Sequence, residues 1–152
     1  MFFLLFVLLA GCEHPCRKNV IHPAFIHFQI EDIDTIILRA YRPNNNYLQL
    51  VDTFLVHNLH ASIYTTVNDT TIVYVNNSDP DHWVSAGFDW QIYIPTKNRT
   101  ISVAGIESEQ VEGNKRCINP VTAFVQDGQR VVPENVNTGQ WQTSGYRAYI
   151  RN

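Results

Sequence analysis

The sequence predicts an all-β domain: an antiparallel, immunoglobulin-like β-sandwich of about seven to nine strands, with a small β-barrel as the alternative. Three observations carry this expectation. Beyond residue 11 the chain holds 14 Val and 14 Ile but only 5 Leu and 7 Ala, together with 11 Thr and 7 Tyr. Branched and aromatic side chains suit a pleated surface, whereas a helical domain of this size would be rich in Leu and Ala. Phe88, Trp90, Ile92 and Ile94 alternate with Asp89, Gln91 and Tyr93, a period of two. Asp127-Gly128 sits between two β-prone arms and supplies the residue pair that a two-residue type I′ hairpin requires.

The elements follow in order. Residues 33–42 and 48–56 read as strands, and Asn44-Asn45-Asn46 between them can adopt the left-handed turn conformation. Residues 25–34, with apolar residues at mixed spacings, keep a helix as an alternative that is not the favoured reading. Residues 70–75 form another candidate strand. The alternating stretch 88–94 is stopped by Pro95, and after Lys97-Asn98-Arg99 a new strand runs over 100–106. The Asp-Gly hairpin spans 124–132, and 146–150 closes the series. No internal repeat is present.

A chain of 152 residues allows one domain with a short tether. Its 45% hydrophobic content excludes intrinsic disorder, and a formal charge of −3 with no basic patch argues against a nucleic-acid surface. Residues 1–11, MFFLLFVLLAG, carry no charge and are too short to cross a hydrocarbon core as a helix, but have the length of a signal-peptide apolar region. That run ends in Leu9-Ala10-Gly11-Cys12. Small residues let the chain lie extended in a peptidase groove, and the cysteine after them offers an alkylatable thiol. The tetrad resembles the lipobox of bacterial lipoproteins. The resemblance implies cleavage before Cys12, acylation of Cys12, and a domain held at a membrane of the bacterial cell envelope, outside the cytoplasm. Two or more acyl chains hold such an anchor stably. The expected organisation is therefore a signal peptide over 1–11, a lipidated tether over 12–24 and one β-domain over 25–152.

With Cys12 taken as the anchor, Cys16 and Cys117 remain as an even pair in an exported chain, where disulfides persist. A Cys16–Cys117 bridge is expected ahead of two free thiols, with a metal or catalytic role last. There is no CxxC spacing to support zinc.

Chemistry-bearing motifs are scarce. HExxH, GxSxG, the P-loop and GxGxxG are all missing. His57 and His60 would share a face on a helix but point opposite ways on a strand, so they read as surface residues. Asp79-Pro80-Asp81-His82 reads as turn chemistry, lacking the oxygen spacing of a calcium loop. Neither a metal nor a cofactor is expected. Asn68-Asp69-Thr70, Asn76-Asn77-Ser78 and Asn98-Arg99-Thr100 match the glycosylation acceptor, but behind a bacterial lipobox they read as turn residues. Glu107, Glu109 and Glu112 ahead of Lys115-Arg116 read as a solvated loop or strand edge. Trp90 belongs to the alternating strand and reads as core, whereas Trp83 and Trp141 lie in polar surroundings and are the candidates for exposed contact.

These features lead to a non-catalytic binding, accessory or structural module with a protein or glycan partner. An inhibitor or immunity-like protein is the alternative, and a glycan or peptide hydrolase a more distant one.

Overall fold

Alternation of apolar and polar side chains becomes ten strands in the computed structural model, which describes residues 20–57, 64–73, 84–109, 120–133 and 146–152. They are β1 (Ile21–Ile26), β2 (Thr35–Tyr41), β3 (Leu50–His57), β4 (Tyr64–Val67), β5 (Thr70–Val73), β6 (Asp89–Ile94), β7 (Arg99–Ser108), β8 (Val121–Gln126), β9 (Gln129–Val131) and β10 (Tyr146–Arg151). A four-stranded sheet runs β10-β1-β5-β4 and a six-stranded sheet runs β3-β2-β6-β7-β8-β9. Both sheets are open, so the expected sandwich forms and the barrel does not. Every pairing among these strands is antiparallel except β1 with β10.

The core lies between the sheets. Leu38 of β2, Trp90 and Ile92 of β6, Ile101 of β7 and Phe124 of β8 meet Ile21 and Phe25 of β1 and Ile150 of β10. Each fully buried side chain of this size contributes about 1.5–3 kcal/mol of apolar burial. Trp90 also needs a partner for its indole N–H, which donates to the Ser85 carbonyl at 2.9 Å.

β1 is buried on both faces. Ile21 and Phe25 look into the main core, while Ala24 packs with Ile72 on the opposite side of the same sheet. His22 shares that second face and is 6% exposed, with Arg147 directly opposite it on β10. Pro23 has no N–H to offer, and the described ladder with β5 stops short of it. The Ile21 N–H donates to the Val84 carbonyl on the edge away from β10, and the described ladder with β5 begins only at Ala24. The nitrogen of Pro23 therefore falls in the gap between the two.

β1 starts at Ile21, inside the stretch that the sequence assigned to the tether. Pro23 and His22 break any alternation there, and burial of both faces removes the period that marks a half-buried strand. The stretch 25–34 is not a helix: it finishes β1 and makes a single 3-10 turn over Ile30–Asp32.

The turns obey their residues. Asp127 and Gly128 have φ of 48° and 80°, as a type I′ hairpin between β8 and β9 demands. Asn68 and Asp69 do the same between β4 and β5, and Asn98 is left-handed before β7. Gly105 interrupts β7 at φ 54°, where the register with β8 shifts, a bulge that a side chain would strain.

Burial holds the His22 imidazole neutral, lowering its pKa to about 4, and the nearby Arg147 guanidinium pushes it the same way. Between the ordinary value of 6.5 and about 4, the unfolded chain binds a proton that the folded chain refuses. Stability should therefore fall as pH drops through that window and stay unaffected by this group above it. The full loss is about 3 kcal/mol. Urea unfolding at pH 7 and pH 4.5 checks this, with His22→Leu expected to remove most of the difference.

Candidate functional site

The sequence-predicted site residues Cys12, Cys16, Cys117, Trp83 and Trp141 lie outside the described residues, as do His60 and Asp79-Pro80-Asp81-His82. His57 is exposed at the end of β3. No group of three or more metal-ligating side chains occurs among the described residues.

The described residues bordering those positions nevertheless come together. Val20 forms a bridge with Ser85, and Ile21 bonds Val84, the residue after Trp83. Ile21 also pairs with Tyr146, whose hydroxyl hydrogen-bonds the backbone of Val121 in the facing sheet. The Glu109 N–H donates to the Pro120 carbonyl at 3.0 Å, closing β7 against β8 at the same place. One end of the sandwich thus receives the incoming chain at Val20 and the flanks of three connections.

The β2–β3 turn stands at this end and is held by Asp89. This carboxylate is 6% exposed, and its position follows from the strand period: Trp90 points into the core, so Asp89 points out of it. Its Oδ2 accepts from the Asn44 N–H at 2.9 Å and its Oδ1 from the Gly105 N–H at 3.3 Å. The β7 bulge aims the second donor. Within the turn, the Arg42 N–H donates to the Gln49 carbonyl at 3.0 Å and the Leu48 N–H to the Asn45 carbonyl at 3.2 Å. Asn44, Asn46 and Tyr47 all adopt positive φ, at 59°, 54° and 58°. Asparagine tolerates this region; an aromatic residue does so only when its surroundings hold it there.

Tyr47 is held by its ring and by its hydroxyl. The ring meets Tyr41 edge to face at 5.4 Å. Burial raises the Tyr47 phenol above its usual value, a hydrogen bond with Ser102 opposes that, and the charges of Asp89 and Asp127 add to it. The phenol stays neutral at physiological pH. Ser102 is itself bound to Asp127, whose Oδ1 accepts from its N–H at 2.8 Å and its hydroxyl at 3.2 Å. Tyr41 donates to Gln91 Oε1 at 3.0 Å, and the Arg39 guanidinium lies 5.1 Å from the centre of the Tyr93 ring. The outer face of the six-stranded sheet is therefore a mosaic of phenols, amides and a cation. Beside it, the turn and the adjoining edge strand expose Leu48, Leu50, Val51 and Leu55.

These groups offer contact, meaning hydrogen bonds, ring faces and apolar surface. Both carboxylates near Tyr47 are taken up by backbone N–H groups. The sequence flagged the asparagine run, but not Tyr47, Asp89 or the exposed leucines. The one available signal was a carboxylate at the mouth of a strand, next to a tryptophan.

Replacing Asp89 by Ala leaves the Asn44 and Gly105 N–H groups unpaired and should cost about 2–3 kcal/mol, since hydrogen bonds to charged groups are the stronger kind. Asp89→Asn, which keeps an acceptor, should cost about half as much. Urea unfolding measures both, and limited proteolysis should show earlier cleavage within 42–49 for Asp89→Ala. Comparison with protein-family models, curated proteins and solved structures finds no match to this chain, so its function is argued from its own residues.

Proposed function

We propose that this chain is a lipid-anchored protein of a bacterial cell envelope, with a β-sandwich serving as a non-catalytic binding, accessory or structural module. The observation that carries the reading is the Leu9-Ala10-Gly11-Cys12 tetrad at the end of an uncharged apolar run, directly ahead of the domain. Acyl chains on Cys12 supply the membrane contact, and residues 13–19 link them to Val20. The partner class is a protein or a glycan. A mosaic of phenols, amides and apolar side chains on a rigid sheet suits such a partner, and the engagement of Asp89 and Asp127 by backbone donors favours contact over hydrolysis.

A Cys16–Cys117 disulfide belongs to the same reading. Cys16 is four residues before Val20 and Cys117 four residues before Val121. Ile21 and Val121 are linked through Tyr146, which supports bringing the two thiols to one end.

Mass spectrometry of the protein from a bacterial membrane fraction should find Cys12 as an acylated amino terminus, and Cys12→Ser should leave the membrane fraction or remain unprocessed. Unchanged membrane retention of Cys12→Ser would refute the anchor. Cys16 and Cys117 should resist thiol labelling until reduced, with reduction lowering stability by about 2–4 kcal/mol. Free reactivity of both thiols in the exported protein would dispose of the bridge.

A further inference from the structure

The β2–β3 turn holds apolar side chains outward on a rigid frame. Leu48 is 83% exposed, Leu50 54% and Val51 48%, within four consecutive positions. Water gains nothing from this arrangement, yet the turn is braced to keep it. The carboxylate of Asp89, two backbone hydrogen bonds across the turn and the Tyr47–Tyr41 contact all maintain it, at the cost of three left-handed residues.

The position of the turn says what covers it. Asp89, which holds Asn44, lies four residues after Ser85, and Ser85 bridges Val20. The leucines therefore stand at the end where the chain enters from Cys12. Cys12 is eight residues before Val20, so even fully extended the linking segment spans at most about 29 Å. Among the described residues the opposite end is largely polar, with Val67 its exposed apolar side chain. There the His27 N–H donates to the Asp69 carbonyl, the Asn152 N–H donates to the Ile26 carbonyl, and Arg99 reaches the Arg151 carbonyl beside the Asn98 turn. Among the described residues, three exposed apolar side chains, Leu48, Leu50 and Val51, gather at the end where the tether enters.

We infer that the β2–β3 turn is a second membrane contact, in which Leu48 and Leu50 enter the boundary between headgroups and acyl chains of the bilayer that holds Cys12. The inference rests on the lipid-anchor reading. Between residues 42 and 51 the only charge is Arg42, which is exposed and of the sign that lipid phosphate attracts. The anchor and the turn together fix the domain's orientation, setting the Asn68-Asp69 and Asn98 turns away from the membrane.

The test uses the acylated full chain in vesicles of phosphatidylethanolamine and phosphatidylglycerol, with the mass of the Cys12 terminus checked first. Amides of residues 46–51 should exchange hydrogen at least about tenfold more slowly in the native protein than in Leu48→Asp/Leu50→Asp, while β6 amides stay equally protected in both. If β6 loses protection in the double variant, the milder Leu48→Gln takes its place. Equal exchange at 46–51 with Cys12 acylated would overturn the second contact and leave the anchor standing. An unmodified Cys12 would overturn both. Protection that appears without vesicles and grows with protein concentration would assign the turn to a second copy of the chain and overturn the membrane contact.

Discussion

The four-stranded sheet depends on one requirement: β1 must lie inside the protein on both of its faces. Six residues meet it with Ile21 and Phe25 toward the main core and Ala24 toward Ile72. The two residues that fit such a strand poorly are accommodated individually. Pro23 occupies the gap between the Val84 contact and the β5 ladder, and His22 is kept neutral. A strand of this kind has no solvent face to vary, so substitutions in it should be felt on whichever side they fall.

Asp89 and Trp90 do the corresponding work in the larger sheet. Adjacent in sequence, they point to opposite sides of β6. The tryptophan ties the sheet to the loop at Ser85, and the carboxylate ties it to the β2–β3 turn. Through Ser85 the same short stretch touches Val20. Core, turn and entry point are thus connected over a few residues, and a change at any of them acts on the others.

Much of the architecture was legible in the sequence, because it rests on local chemistry. The period-two stretch around Trp90, the Asp127-Gly128 hairpin and the left-handed asparagines each declare themselves within a few residues. β1 did not, since burial on both faces leaves no alternation and Pro23 argues against a strand. β4 is four residues long and gives too little pattern. The site was less legible for a different reason. The bond between Asp89 and Asn44 joins residues 45 apart, and a left-handed Tyr47 runs against its own propensity, so only tertiary packing could produce either. Leu48 and Leu50 read as parts of a strand, and nothing local distinguishes an exposed leucine from a buried one.

The parallel pairing of β1 with β10 has a consequence for the order of assembly. Its partners lie about as far apart as Asn152 and His27, which are 125 residues apart and in hydrogen-bond contact. β2 with β3, β6 with β7 and β7 with β8 are neighbours along the chain and can form while synthesis continues. β1 emerges first among the described strands and must wait for the last one. Until then its apolar faces lack one neighbour, so the six-stranded sheet has time to form as a template. The closing event is entropically costly because of its long loop. A chain lacking its last seven residues would keep most of its hairpins and still fail to close.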